Sequence, residues 1–178
     1  MASPNPLPSN ISISLASADD VKALTILRTA VAQDMTERFG DGAWSSLPSK
    51  VVVVKQMRAS RVLVARRDAK IVGTVRLATA RAGAFDSSAF TSVTNALYVL
   101  GLAVAPGFRN QGIGRALLEA AKEMARSSST DALWLDAYDH PAGVGEFYAR
   151  CGFRRVGKTS HNELPLIYYE WLANPRPV

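Results

Sequence analysis

The sequence predicts a mixed α/β fold, in which a central, mostly antiparallel sheet is flanked by helices. A β-hairpin occupies Arg61 to Leu77, with a polar turn between two apolar strands. A third strong strand, Leu97 to Val104, leads directly into a strongly amphipathic helix. Two more strands are predicted near the C-terminus, over 155–159 and 164–171. Because hairpins are mixed with helices, this order excludes the regular strand–helix alternation of a doubly wound sheet.

The elements ahead of the hairpin follow from spacing. Apolar residues alternate with serines over Ile11 to Leu15, which predicts a short half-buried strand. A helix then begins after Asp19 and Asp20, since acidic residues suit its N-terminus, and Gly40 ends it. The run Val51 to Val54 has strand propensity, but Ser49 ahead of it suits a helix cap, and we favour the helix.

The elements after the third strand are also marked by their boundaries. The amphipathic helix starts at Gly112, ends at Ser127 to Ser129, and is expected to expose Arg115, Lys122 and its other charged residues. A short strand follows at Ala132 to Leu135. Pro141 predicts the first turn of a further helix, which Gly152 closes.

Composition limits the class of protein. The 178 residues, 48% of them hydrophobic, suit one domain over 11–172, with loose ends at 1–10 and 173–178. No apolar run approaches the roughly 20 residues of a membrane-spanning helix, and the N-terminus lacks a secretory signal. The single cysteine, Cys151, fits a reducing compartment. We therefore expect a cytoplasmic protein with no membrane partner.

The net charge of +6 favours anionic partners. These include nucleic acid, a membrane surface and a phosphate-bearing cofactor, and charge alone does not choose among them. The basic residues are dispersed, and only 8% of residues are aromatic, so no nucleic-acid partner is expected. One cysteine and two histidines do not make a metal site, and Cys151 is expected in the core.

The sharpest motif, Arg109-Asn110-Gln111-Gly112-Ile113-Gly114-Arg115, lies between the third strand and the amphipathic helix. Glycines let the backbone approach an anion, and the first N–H groups of a helix have no partners within it. Two arginines could add charge-assisted hydrogen bonds. The glycines are equally explained by a tight turn with close helix packing. The motif lacks the endings of a P-loop and of a dinucleotide fingerprint.

In its context the motif resembles the acetyl-CoA-binding motif of the GNAT acetyltransferases. The preceding strand Leu102-Ala103-Val104, the hairpin strand Ile71-Val72-Gly73 and the later block Phe147 to Phe153 appear in the family's order. The resemblance implies a GNAT-like sheet with splayed central strands. It also implies acetyl-CoA as the acetyl donor, no metal, and an amine acceptor from a small molecule or a protein. Many GNAT proteins dimerise, but no sequence feature decides whether this chain forms a homodimer.

The resemblance assigns roles to single residues. The backbone of Asn110 to Arg115 would hold the pyrophosphate, assisted by Arg109, and the backbone of Leu102 to Val104 would pair with pantetheine. Tyr148 stands where the family places a catalytic tyrosine, and would hydrogen-bond the departing thiolate. A lone inward tyrosine is otherwise an ordinary core residue.

The sequence departs from the family's pattern at the base. Many GNAT enzymes carry a glutamate on the central strand, but Tyr98 to Leu102 contains no carboxylate. The family's asparagine ahead of the tyrosine helix is also absent, and Pro141 stands there. Asp136, Asp139 and His140 are either substitutes for the base, residues that hold a water, or ordinary surface-loop and helix-cap residues, so we assign no base.

Two other functions stay open: an acetyl-CoA sensor without catalysis and a basic nucleic-acid-binding domain. Acceptor choice is expected to lie in the segments 37–60, 80–93 and 159–164. Trp44 and Phe85 either line the acceptor pocket or cap the core.

Overall fold

The computed structural model describes residues 10–80, 85–161 and 163–174, with the backbone alone for His161. Most of the predicted N-terminal arm and C-terminal tail therefore lies outside the described residues. The helices are Val21–Phe39 (α1), Lys50–Ala59 (α2), Ile113–Ser127 (α3) and Gly145–Arg150 (α4). The strands are Ile11–Leu15 (β1), Arg61–Arg67 (β2), Lys70–Ala78 (β3), Ala96–Val104 (β4), Ala132–Tyr138 (β5), Arg154–His161 (β6) and Leu164–Leu172 (β7). Among the described helices, none combines the length and apolar character that crossing a bilayer requires.

The strands form a seven-stranded sheet in the order β1-β2-β3-β4-β5-β7-β6. The pairs β1–β2, β2–β3, β5–β7 and β6–β7 are antiparallel, while β4 and β5 are parallel. The β4–β5 pairing covers only Ala96–Tyr98 against Ala132–Trp134, although both strands continue beyond it. The predicted mixed sheet, with splayed central strands and flanking helices, is confirmed.

Local signals explain the first two helices. Ahead of α1, the Ser17 N–H donates to the Asp20 carboxylate over 2.8 Å, and Gly40 ends the helix with a φ of 77°. At α2, the Ser49 hydroxyl accepts from the Val52 N–H, so the Val51–Val54 run is helical as we favoured.

The described chain divides into two compact units, and the prediction of one domain stays a prediction. The first unit holds the chain to Leu77 together with Gly101–Ala121. In its core, α1 and α2 cover one face of β2 and β3. The buried residues of this cluster are Leu24, Leu27, Val53, Val62, Val64 and Ile71.

The second unit comprises Ala78–Leu100 and the chain from Lys122 onward. Its core includes the buried aromatic residues Phe90, Trp134 and Tyr168. Phe85 stacks on Phe90 with 5.0 Å between ring centroids and meets Tyr168 at 4.9 Å. Phe85 therefore caps this core, which is one of the two roles predicted for it.

Trp44 also takes a capping position, in the first unit. Its ring meets Phe39 edge to face at 6.5 Å, and its indole N–H donates to the Gly40 carbonyl over 2.9 Å. It thus covers the C-terminal end of α1.

The structure corrects the start of the fourth helix. Pro141 does not lie in its first turn, because α4 begins at Gly145. The segment from His140 forms a tight turn instead: the Ala142 N–H donates to His140 Nδ1 over 3.0 Å, and the Gly143 N–H donates to the His140 carbonyl. A Cβ on Gly143 would lie 1.9 Å from the Tyr138 carbonyl oxygen, so only glycine fits this turn.

Lys122 was expected on the exposed face of α3 but is only 5% exposed. Its ammonium donates to the Cys151 carbonyl, just past the C-terminus of α4. It also lies over the rings of Phe153 and Trp171, at 5.5 and 5.8 Å from the centroids. A helix-end acceptor and two ring faces thus compensate for its burial. Cys151, at 2% exposure, is a core residue as predicted.

Glu170 on β7 is the most deeply buried acid, with 1% exposure. Its carboxylate accepts from Arg154 over 2.5 Å and from both the N–H and the hydroxyl of Thr91 over 2.8 Å. Burial disfavours its charge, but these hydrogen bonds outweigh burial and hold its pKa below the ordinary 4.5.

We expect Glu170→Gln to lower the free energy of unfolding by roughly 1–3 kcal/mol, because charge-assisted bonds are lost at a buried position. Since the pKa of Glu170 is depressed by folding, its stabilisation is present above pH 4.5 and is lost as pH falls through the folded value. Urea unfolding at pH 7 and pH 3.5 measures both effects. Glu146→Gln, on an exposed i,i+4 pair with Arg150, is the control and should change stability by under about 0.5 kcal/mol. Equal losses in the two variants would contradict the role of Glu170.

Candidate functional site

The predicted phosphate motif forms the turn between β4 and α3. Asn110 and Gly112 have φ angles of 60° and 80°, in the left-handed region that favours glycine. The helical ladder begins where the Ala116 N–H donates to the Gly112 carbonyl over 3.0 Å. The N–H groups of Ile113, Gly114 and Arg115 precede that bond and have no partner within the helix. Three donors and the positive end of the α3 dipole therefore meet at this turn.

The side chains of the motif are placed differently from one another. Arg109 donates to Asp34 on α1 over 2.6 Å, so this carboxylate anchors the turn and uses part of the guanidinium's donors. Gln111 donates to the Gly107 carbonyl over 3.3 Å. Arg115 forms no ion pair with any described residue. Of the two arginines, Arg115 is the one whose charge remains for an anion.

Sequence reasoning did not find Asp34, because its partner lies 75 positions away. The only local signal was an acidic residue late in α1, where the helix dipole disfavours it.

Gly73 sets the closeness of α3 to β3. A Cβ at this position would lie 2.9 Å from Ile113 Cγ2 and 3.1 Å from Leu117 Cδ1. The first turn of α3 thus packs directly on the β3 backbone, which fixes the direction of the free N–H groups.

We expect Gly73→Val to lower the free energy of unfolding by about 1–3 kcal/mol through overpacking. The displaced helix start should also weaken binding of acetyl-CoA, the donor that the family resemblance implies, by roughly tenfold or more, since its donors are aimed by this packing. Thermal unfolding and calorimetry measure the two effects. Gly107→Val is the control, because a Cβ there meets nothing within 4 Å. Lower stability with unchanged binding would show that the position of α3 does not control the site.

Strand β4 is unusual for a central strand. Leu102, Ala103 and Val104 are only half-buried, whereas β3 is almost wholly buried. Gly101 interrupts β4 with a φ of 58° and is exposed. Central strands normally have covered faces, so β4 presents an apolar surface and backbone to which a ligand can add.

Tyr148 lies on α4 and is 7% exposed. Its ring packs near Tyr169 and Phe153, with centroids 5.9 and 6.0 Å away. Its hydroxyl forms no hydrogen bond with another residue in the described part of the chain. Burial, reinforced by the negative charge of Asp136, raises its pKa far above the ordinary 10. Tyr148 therefore stays a neutral hydrogen-bond donor across the range in which enzymes are assayed.

The three candidate bases occupy different settings. Asp139 accepts from Lys158 over 2.7 Å, and this hydrogen bond lowers its pKa, which makes it a weaker base. His140 Nδ1 accepts from the Ala142 N–H and so serves the turn described above. Asp136 lies half-buried on β5, opposite Tyr168. No three His, Cys, Asp or Glu side chains group as metal ligands within the described ranges.

Comparison with known proteins identifies the family. Residues 58–155 match the acetyltransferase (GNAT) domain, and the chain belongs to that family. It is 33% identical over 76 residues to a streptothricin acetyltransferase from Streptomyces lavendulae. That match spans 43% of this chain and 40% of the relative, so it covers well under half of either protein.

Solved structures show the same fold over nearly the whole chain. A ribosomal-protein-alanine N-acetyltransferase from Brucella melitensis has a TM-score of 0.70 and 20% identity, covering 90% of this chain and 99% of that one. A protein from Salmonella typhimurium, solved with its cofactor acetyl-CoA, has a TM-score of 0.67 and 15% identity, covering 96% and 98%. The predicted family and fold are thus confirmed.

Proposed function

We propose that this protein transfers the acetyl group of acetyl-CoA to a primary amine by direct attack on the thioester. The observation that carries the proposal is the turn after β4, where Arg115 and three N–H groups without a partner inside the helix surround the start of α3. In a GNAT chain, this turn follows a central strand with an uncovered backbone. Together the two features suit a ligand with a phosphate end and an extended amide chain.

The donor would be held in two parts. The N–H groups of Ile113, Gly114 and Arg115, with the Arg115 guanidinium, would bind the pyrophosphate. Arg109 would act mainly by fixing the turn through Asp34. The backbone of Leu102, Ala103 and Val104 would pair with pantetheine as an added strand. An N–H of this stretch would polarise the thioester carbonyl.

The chemical step is a displacement at the thioester carbon. The free amine nitrogen forms a C–N bond, the C–S bond breaks, the nitrogen loses a proton to solvent, and the sulfur leaves as thiolate. We propose that Tyr148 donates a hydrogen bond to this thiolate. Transfer from even an ordinary tyrosine (pKa about 10) to a thiolate (about 8.5) is uphill by roughly 2 kcal/mol, and burial makes it more so. Tyr148 therefore acts as a donor, with protonation completed as the product leaves.

The acceptor must arrive as the free amine. At pH 7, an alkylamine of pKa about 10.4 costs roughly 4.6 kcal/mol to deprotonate. Asp139 is a poor base because of Lys158, and we assign no other. With deprotonation left to solvent, kcat/KM should rise with pH towards the pKa of the amine.

Release of free thiol from acetyl-CoA, followed with a panel of amines, tests the proposal. The panel should include amino acids, their amides, a polyamine, streptothricin and a peptide with an N-terminal alanine. Amine-dependent thiol release, with the acetylated amine identified by mass, would support it. Tight acetyl-CoA binding with no turnover of any amine would indicate a sensor instead.

A further inference from the structure

The first unit contains a small cavity with an unusual charge. It lies between α1, α2 and strands β2, β3 and β4, and Gly101 is at its β4 side. Its walls are largely apolar, from the core of the unit. Two arginines, Arg28 of α1 and Arg76 of β3, line it together with Gln56 of α2.

No acid among the described residues balances these two charges. Arg28 donates to the Gln56 side-chain oxygen, and neither arginine forms an ion pair with a described residue. The Arg76 Nε atom is completely buried without a hydrogen-bond partner. By contrast, Arg66 and Arg109 in the same unit each have an aspartate, at 2.7 and 2.6 Å. A half-buried guanidinium without an acid partner costs a fold stability, so these contacts give no structural reason for the two arginines.

The ionisation of both groups reflects this imbalance. Burial lowers the pKa of Arg28, and burial together with the charge of Arg28 lowers the pKa of Arg76 to about 10. Both guanidiniums nevertheless remain charged at neutral pH. An anion placed between them would accept from the unsatisfied Arg76 Nε–H and relieve the repulsion.

The cavity borders the expected position of the acetyl-CoA thioester. This inference rests on the proposed function. If pyrophosphate binds after Val104 and pantetheine runs back along Leu102 to Val104, the thioester end reaches Gly101. A Cβ at Gly101 would lie 3.6 Å from Arg76 Nε, so the arginine reaches the strand because no side chain intervenes. A group held by Arg76 would therefore lie next to the acetyl group.

We propose that the acceptor is a compact amine that carries a carboxylate, which Arg76 and Arg28 bind. Guanidinium groups recognise carboxylates through paired N–H donors, and they repel a cationic group in the same place. The cavity thus selects amino acids or related amino carboxylates over neutral amines and polyamines.

The first test compares amino acids with their primary amides in the thiol-release assay. With kcat/KM expressed per free amine, because amidation lowers the pKa of the amine, wild type should favour the carboxylate by about 30-fold, as expected for loss of a charge-assisted contact. Arg76→Gln and Arg28→Gln should reduce this preference to within about threefold. Arg61→Gln, an exposed arginine at the start of β2, is the control and should retain the preference. Unchanged acetyl-CoA binding shows that each variant is folded.

The second test needs no turnover. At constant ionic strength, acetate should raise the Tm of wild type more than acetamide, and Arg76→Gln should abolish the difference. Arg76→Met should raise the Tm of the free protein, because it removes a half-buried charge that has no acid partner among the described residues. A purely structural arginine would give the opposite shift.

The outcomes separate the two proposals. Equal acetate and acetamide effects, with equal turnover of acids and amides, would overturn the carboxylate site and leave acetyl transfer standing. Protection by acetate without turnover of any amine would retain the anion site and sink the proposed function. Protection by inorganic phosphate that is stronger than that by acetate and is lost in Arg76→Gln would overturn the carboxylate assignment in favour of a phosphorylated amine, whereas phosphate protection that Arg76→Gln retains belongs to the turn at the start of α3.

Discussion

Gly112→Val should weaken acetyl-CoA binding by about 100-fold, which corresponds to roughly 3 kcal/mol. Gly112 has a φ of 80°, which costs a β-branched residue about 1–2 kcal/mol and reorients the donors that follow. The valine side chain would also occupy space at the proposed pyrophosphate position. Calorimetric titration with acetyl-CoA measures the loss, and Gly112→Ala should give a smaller one.

The control is Gly107→Val, five residues earlier, where the added side chain meets open space. It should bind acetyl-CoA within about twofold of wild type. If Gly112→Val binds as tightly as this control, the turn does not hold the phosphates.

Tyr148→Phe should lower kcat by about 10²–10³-fold and leave acetyl-CoA affinity within about threefold. The substitution removes only the hydroxyl, which has no hydrogen bond to a described residue, and keeps the ring against Tyr169 and Phe153. Stability should therefore be nearly unchanged. Because its pKa is raised, wild type should show no loss of kcat from tyrosine ionisation below about pH 10. Steady-state kinetics and thermal unfolding measure these quantities.

Tyr169→Phe is the control, since Tyr169 is also buried and its ring is 5.9 Å from that of Tyr148. An unchanged kcat in Tyr148→Phe, or a larger loss of kcat in Tyr169→Phe, would show that the Tyr148 hydroxyl is not the group that donates to the thiolate.

Much of the fold was predictable because its signals are local. The hairpin from Arg61 and the apolar stripe of α3 follow from periodicity alone. Ser49 correctly favoured a helix over the strand propensity of four valines, because its hydroxyl caps the helix. At the candidate site, the turn after β4 was predictable for the same reason. The backbone needs a positive φ there, and the sequence places a glycine at that position.

The rest depends on contacts between distant residues. Lys122 lies among charged residues on the polar face of α3, so the local pattern predicts that it is exposed. Its burial results from contacts with Cys151, Phe153 and Trp171, which lie far along the chain. Pro141 suits a first helical turn, but the turn around Gly143 takes precedence because the chain must clear the Tyr138 carbonyl.

The arginine pair was missed for a related reason. Arg76 lies in an apolar strand, on the face that it shares with Thr74, and its cross-strand partner Val62 is buried. The only signal in the sequence was a charged residue at a core-facing position of the strand. The cavity itself could not be predicted, because it also needs Arg28 from a helix and Gly101 from another strand.

Acetyl-CoA binding by the native protein is the property on which the proposed function most directly depends. Calorimetric titration with acetyl-CoA, with desulfo-CoA and ATP as comparators, tests it. We predict one site with micromolar affinity, similar binding of desulfo-CoA because the phosphate and pantetheine contacts are retained, and much weaker binding of ATP. No binding of acetyl-CoA at moderate salt, or binding of ATP with equal affinity, would contradict the assignment of the turn and of β4.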